Sequence, residues 1–358
     1  MQPDDRQERL VVLDLLRCIA ALSIFAFHFW YLGSTQAGTE FAAMPRIPIF
    51  RYGFLGVELF FIISGYVIFM TLQTKTITQF ALARFVRLFP TFWFCIVLTT
   101  TVLWAYRGSG PSMATLLANF TMEPSVFGVA SVDGVYWSLA VELEFYFLIG
   151  IIMVCAGKRY FTHALAAALV VDLIQKAMFF FDHPWHSIIL SSPFLSYFGI
   201  GIAAYMWHRS ASRESLLLLF LSVPGAIFAT LDKTAFLAYY FLQTEISRFV
   251  TVGCLLLATV AIWLLPGLNR LIPETARSPI VFCGGVTYPL YLLHQEIGYR
   301  AFGVLTKAGL GVSAATTAAA ILTVLLSTAA YVFFDKPVRR ALMRMLSARA
   351  RLVPASAE

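Results

Sequence analysis

"LDLLRCIAALSIFAFHFW", residues 13–30, reads as a helix that crosses a membrane, and that reading decides the class of the fold. A span needs about 20 predominantly apolar residues, and the run around this stretch, 10–32, supplies them. Two ionisable side chains interrupt it, Arg17 and His28. Such groups are costly in hydrocarbon and normally face a partner or a water-filled cavity. They stand eleven residues apart. At ~100° per residue that is about 20° past three full turns, so both share one helix face, ~16 Å apart along the axis.

The rest of the chain has the same character. It is 358 residues long, 59% hydrophobic and 13% charged, with 33 phenylalanines. Soluble domains carry about 25% charged residues. The expected fold is an all-α polytopic membrane protein, a bundle of about ten transmembrane helices. The expected spans are 10–32, 53–73, 88–106, 135–155, 161–181, 186–207, 215–231, 247–265, 279–305 and 311–335. A net charge of +7 invites a nucleic-acid reading. The basic residues, however, are dispersed over short loops, the pattern of membrane topology and not of a phosphate-binding face. With the N-terminus in the cytoplasm, most Lys and Arg fall on the cytoplasmic side. An even number of spans then puts both termini there. One membrane domain, 1–340, is followed by a basic cytoplasmic tail, 341–358. The five cysteines sit in or beside apolar spans, and none has metal-ligand spacing. No metal is expected.

Helix rise places His28, Glu58 and Glu142 at a similar depth in the outer half of three spans, with His294 less firmly placed by the same measure. Each alone fits a polar contact gluing two helices. Together they offer an imidazole beside a carboxylate, in which the carboxylate fixes the ring's tautomer and supports its protonated form. "ARFVRLFP" puts Arg84 and Arg87 three apart on one helix face at the cytoplasmic entrance of the third span. Alone they read as positive-inside flanking. With Arg17 they line a basic shaft, and arginine's planar fork suits a phosphate-bearing donor. Ser64 precedes Gly65 in "FFIISGY". That small pair permits close helix packing, with a serine nucleophile as the weaker alternative.

The ordered set resembles the acyltransferase family 3 integral membrane proteins. It comprises Arg17 and His28, "GVELFFIISGY" at 56–66, "RFVRLFP" at 84–90, "VYWSLAVELEFYF" at 135–147, "TYPLYLLHQ" at 287–295 and "FDKPVR" at 334–339. The resemblance implies about ten membrane helices in a bacterial inner membrane. It also implies transfer of an acyl group, usually acetyl from acetyl-CoA, to a carbohydrate or glycolipid acceptor. The family's essential histidine and arginine fall on His28 and Arg17, its paired arginines on Arg84 and Arg87, and its Trp–Ser–Leu–Glu region on Trp137, Ser138, Leu139 and Glu142. Glu58 and Asp335 exchange one acid for the other. Some members carry a further hydrolase-like domain, and none is expected within these residues.

These readings combine into one expectation. Acetyl-CoA or another acyl-CoA binds with its phosphates near Arg84, Arg87 and Arg17. His28, oriented by Glu142, acts as general base on an acceptor hydroxyl. Tyr291 or Trp137 stabilises the tetrahedral oxyanion, and Glu58, Ser64 and His294 are further candidates around the substrate. Transfer is either direct or through an acylated His28. The partners are the bilayer and the acceptor, with no nucleic acid. The alternative is a transporter or flippase whose polar line is a translocation path.

Overall fold

A computed structural model describes residues 10–36, 39–178 and 194–352. The end of the expected span 161–181 and the start of 186–207 lie outside the described residues, as does the end of the tail. Among the described residues thirteen α-helices follow one another: α1 Val11–Phe27, α2 Gly56–Thr74, α3 Ile77–Arg107, α4 Met113–Phe120, α5 Trp137–Met178, α6 Leu195–Ser210, α7 Arg213–Phe236, α8 Arg248–Trp263, α9 Leu265–Leu271, α10 Glu274–Leu293, α11 Glu296–Lys307, α12 Val312–Ala330 and α13 Lys336–Leu352. No strand occurs among the described residues.

Among the described residues, six helical segments are long and apolar enough to cross a membrane, and a seventh if α8 and α9, bent by 77°, count as one. The expected count of ten is not confirmed, for local reasons. The expected spans 135–155 and 161–181 are joined in α5, whose two arms meet at Gly157 with φ 63° and ψ 177°. Only glycine takes that backbone geometry without strain. α6 shows 16 residues, fewer than a span needs. α10 opens on the polar "ETARSP" and holds Pro279 and Pro289. The expected span 279–305 is broken at His294 and Gln295, between α10 and α11.

Helix starts follow the sequence. Thr76 and Gln79 form a reciprocal capping box before α3, and Ser112, Ser212 and Ser247 each cap a following helix. These side-chain oxygens satisfy backbone N–H groups that the first helical turn leaves unpaired. Polar pairs three or four residues apart within one helix close on each other. Arg17 reaches Asp14 at 3.2 Å, Lys176 reaches Asp172 at 2.7 Å and Arg300 reaches Glu296 at 2.8 Å.

The centre of the bundle is tight. α1 packs on α2 and α10, and α2 packs on α6. A Cβ on Gly65 would stand 2.1 Å from the carbonyl oxygen of Phe198, and one on Gly201 would stand 2.0 Å from that of Ile62. Two backbones thus meet where small residues allow it, which is how helices associate in lipid without a hydrophobic drive. Three π-helical turns follow α1, α7 and α12, at His28–Leu32, Leu237–Leu242 and Tyr331–Asp335. Such turns often mark functional sites, and the first begins on His28.

Gly201→Leu forces α2 and α6 apart and should lower stability by at least ~1–3 kcal/mol, the usual cost of overpacking. Gly253→Ala adds a methyl to open space and should not lower it. Thermal unfolding of detergent-solubilised protein by circular dichroism distinguishes the two.

Candidate functional site

His28 is 8% exposed and His294 1%. Their rings meet edge to face, with His294 Nε2 3.1 Å from His28 Nδ1. The proton positions follow from the neighbours. His294 Nδ1 lies 2.8 Å from the carbonyl oxygen of Tyr291 and 3.2 Å from that of Leu290. A carbonyl only accepts, so Nδ1 carries the proton and His294 Nε2 is left as an acceptor. It accepts from His28 Nδ1–H, which also points at the carbonyl oxygen of Ile24 at 2.8 Å. Both neighbours demand the same tautomer, and it leaves His28 Nε2 unprotonated. The Gln295 side chain hydrogen-bonds this imidazole as well, and Tyr299 donates to the His28 carbonyl at 3.2 Å, bracing the π turn.

The segment ahead of α5 is stitched to the end of α10 beside this pair. The Tyr291 hydroxyl donates to the Val135 carbonyl at 2.9 Å and lies 2.6 Å from Ser138 Oγ. Tyr136 donates to the Leu292 carbonyl at 3.2 Å. Asp133 accepts from the backbone of Val135 through one oxygen and from that of Glu296 through the other, each at 3.1 Å. One buried carboxylate thereby holds the start of α11 and the approach to α5 together. Burial, then the nearby Glu296 charge, pushes Asp133 up to about 7.

His28 opens onto a cavity of about 740 Å³. Phe54, Trp137, Phe194 and Phe236 line it with Lys233, Glu123, Glu144 and Gln295. Burial, then Glu144, pushes Glu123 up to about 7. A second cavity, about 100 Å³, lies toward the Arg17 end of α1. Arg17, Arg84 and Arg87 line it with Ser64, Ser138, Glu142, Tyr146 and Tyr288. Three guanidinium groups against one carboxylate leave it basic. Arg87 lies over the Tyr288 ring at 5.4 Å, and Arg84 reaches Thr71 Oγ1 at 3.3 Å with its buried Nε unpaired. No carboxylate pairs with Arg84 or Arg87 among the described residues. The two cavities share two lining residues, Val57 and Tyr291, so the Tyr291 hydroxyl stands at their junction.

Glu142 is therefore not where an orienting partner of His28 would be. It accepts from Ser64 at 2.8 Å and Tyr146 at 2.6 Å, inside the arginine cavity. The imidazole's side-chain partner is His294 instead. Similar depth on two helices does not fix the direction each side chain faces. Ser64 donates to Glu142 within the arginine cavity, away from His28. Glu58, 2% exposed, pairs with Lys233 at 2.7 Å and keeps its second oxygen unpaired.

Lys233 and Asp133 were missed in the sequence. Lys233 sits among the rings of Phe54, Trp137 and Phe194 at 5.2–5.9 Å. The signal for it was a lysine just past the expected span 215–231, in an apolar run that α7 carries on to Phe236. Asp133 precedes Gly134 in a loop and looks like an ordinary turn residue.

A family model described as an acyltransferase domain matches residues 10–332. The chain is similar to a protein named as an acetyltransferase in Acidianus two-tailed virus, 26% identical over 78% of this chain and 80% of that one. It is 27% identical to nodulation protein 10 of Rhizobium leguminosarum bv. viciae, over 60% of this chain and 65% of the relative. It is 24% identical to the peptidoglycan O-acetyltransferase OatA of Listeria monocytogenes, over 80% of this chain and 49% of the relative. The chain thus spans about half the length of that last relative. No solved structure matches.

The Glu58–Lys233 pair is buried on both sides, 3% and 8% exposed. Removing one partner of such a pair strands the other charge. Glu58→Leu alone should cost ~3–5 kcal/mol of unfolding free energy, and Glu58→Leu with Lys233→Met should recover most of it. Chemical denaturation in mixed micelles gives the comparison.

Proposed function

The chain belongs to the acyltransferase family whose model it matches, and from that premise we propose that it is a membrane O-acetyltransferase moving acetyl from acetyl-CoA to a hydroxyl of an envelope glycan. The observation that carries this reading is the His28–His294 pair, which leaves an unprotonated imidazole nitrogen at a cavity adjacent to a basic one. The names of the relatives support acetyl transfer, and the name of the Listeria relative supports a glycan acceptor. They favour transfer over transport.

In this reading the arginine cavity faces the cytoplasm of a bacterial cell and both termini lie there. The phosphates of CoA bind at Arg84, Arg87 and Arg17, whose forks match phosphate oxygens. The pantetheine arm passes Val57 and Tyr291 and brings the thioester to His28. The acceptor hydroxyl comes from the larger cavity. His28 Nε2 takes its proton as the oxygen attacks the thioester carbonyl. The imidazolium so formed keeps Nδ1–H on His294. Trp137 on the wall is the donor proposed for the tetrahedral oxyanion, whereas Tyr291, expected beside it in that role, spends its hydroxyl proton on the Val135 carbonyl and frames the junction. Collapse breaks the C–S bond, and the departing thiolate receives the proton from His28. His294 is a positioning residue, holding the tautomer that leaves Nε2 unprotonated. Glu142 acts on the donor side, keeping Ser64 and Tyr146 in place around the arginines.

Release of free CoA from acetyl-CoA by purified protein, with acceptor glycan present, tests the reading. His28→Ala should lower kcat by ~10²–10⁴-fold, the usual contribution of a general base, with the protein still monodisperse; full activity would overturn the assignment. Arg84→Ala with Arg87→Ala should raise KM for acetyl-CoA while largely sparing kcat, and a pure kcat loss contradicts the phosphate role. Label retained on His28 from radioactive acetyl-CoA without acceptor would replace direct transfer by the two-step route.

A further inference from the structure

A third opening runs between α3 and α5 on the outside of the bundle. It encloses about 790 Å³ and is walled by Phe80, Phe85, Leu88, Phe89, Leu143 and Phe147, among others. Its α3 wall continues as a ladder of rings. Phe85 stacks on Phe89 at 5.0 Å, Phe89 meets Trp93 at 5.7 Å, and Trp93 meets Phe120 at 6.4 Å and donates to its carbonyl. The α5 wall carries Phe147, Ile151 and Val154, 65%, 58% and 69% exposed. In a membrane protein such a surface faces lipid.

What separates this groove from an ordinary lipid-facing furrow is where it leads. At one end it shares Glu123 with the His28 cavity. Along its wall it also shares Arg84, Leu88 and Tyr146 with the arginine cavity. Another apolar groove of about 790 Å³, between α1 and α8, shares no lining residue with either. The α3 side extends from Ile77 to Phe89, ~18 Å of helix at ~1.5 Å per residue, more than half the ~30 Å hydrocarbon thickness. An acetyl group needs no such length. A glycan tethered to a long hydrocarbon does, because its tail cannot leave the bilayer when its head enters a cavity.

We propose that the α3–α5 groove seats the hydrocarbon anchor of a lipid-linked glycan, whose head passes Glu123 into the His28 cavity. This rests on the function proposed above. The tail lies against the ring ladder, and the acceptor enters sideways from the membrane. Apolar burial along the groove supplies affinity for the anchor, so the anchored glycan is preferred over the same glycan in water.

Gly150 makes the test clean. It lines the groove, and a Cβ built on it meets nothing within 4 Å. Gly150→Trp fills the groove and Gly150→Ala leaves it open. Two readouts separate this inference from the reading it rests on. First, a diazirine-bearing polyprenol is photolysed with the protein in nanodiscs and the labelled peptides are identified by mass spectrometry. Label should fall on 77–89 and 143–155 and drop at least tenfold in Gly150→Trp but not in Gly150→Ala. Label concentrated between α1 and α8, or unchanged by Gly150→Trp, overturns the proposal, as does full displacement by ordinary phospholipid. Second, radioactive acetyl-CoA is supplied with polyprenyl-linked glycans, or with the same glycans released by mild acid. Wild type should label the linked pool at least tenfold faster, and Gly150→Trp should lose that preference while labelling the released pool as before. Equal labelling of both pools by wild type overturns the groove's part in the reaction. Groove labelling without acetyl transfer to either pool overturns the function and leaves the hydrocarbon site standing.

Discussion

The hydrogen bond from His28 to His294 is the constraint on which the site depends. Two imidazoles within 3.1 Å must agree on which holds a proton between them, and the agreement is imposed from outside the pair. The carbonyl of Tyr291 fixes the proton on the far side of His294, and the carbonyl of Ile24 makes the matching demand on His28. Each carbonyl belongs to a helix just where it ends or changes pitch, α10 and α1. The Ile24 carbonyl is shared with the backbone N–H of His28, and the Tyr291 carbonyl stands where α10 stops, so backbone at the ends of two helices sets the tautomer. A carboxylate at the same place would have held the imidazole more strongly in its charged form. A neutral histidine leaves it a free base.

That arrangement would drift without the stitching around it. Tyr136, Ser138, Tyr291 and Asp133 bind the approach of α5 to the end of α10 and the start of α11. The motifs "VYWS" and "YPLYLLHQ" are far apart in sequence and form one structural unit. Pro289 adds to this by removing a backbone donor one turn before the break. The π turn at His28–Leu32 plays the corresponding part on α1, and Tyr299 closes it from α11.

Much of this was legible in the chain. Arg17 and His28, placed on one face by their spacing, line two adjacent cavities, one each. The convergence of Arg84, Arg87 and Arg17 followed from their position at helix entrances. The apolar runs gave the all-helical membrane class. Other features were out of reach for physical reasons. Rise per residue locates depth but not rotation, so Glu142 was matched to His28 when it faces Ser64, Tyr146 and the arginines. The expected number of spans is not confirmed where a glycine hinge in α5 and the break after α10 give several apolar runs a geometry that hydropathy does not encode. Asp133 was invisible because the two groups that donate to it are backbone N–H groups, and backbone partners leave no mark in a sequence. Lys233 was hidden by its position just past an apolar run.

The junction at Val57 and Tyr291 has an electrical consequence. Two cavities that open toward opposite ends of α1 thin the insulating layer of the bilayer to a septum a few side chains thick. A charge-conducting path through it would dissipate whatever ion gradient the membrane stores. The septum resists this because the Tyr291 hydroxyl is already committed to Val135 and Ser138, and because the valine opposite it offers nothing for a hydrated ion to coordinate.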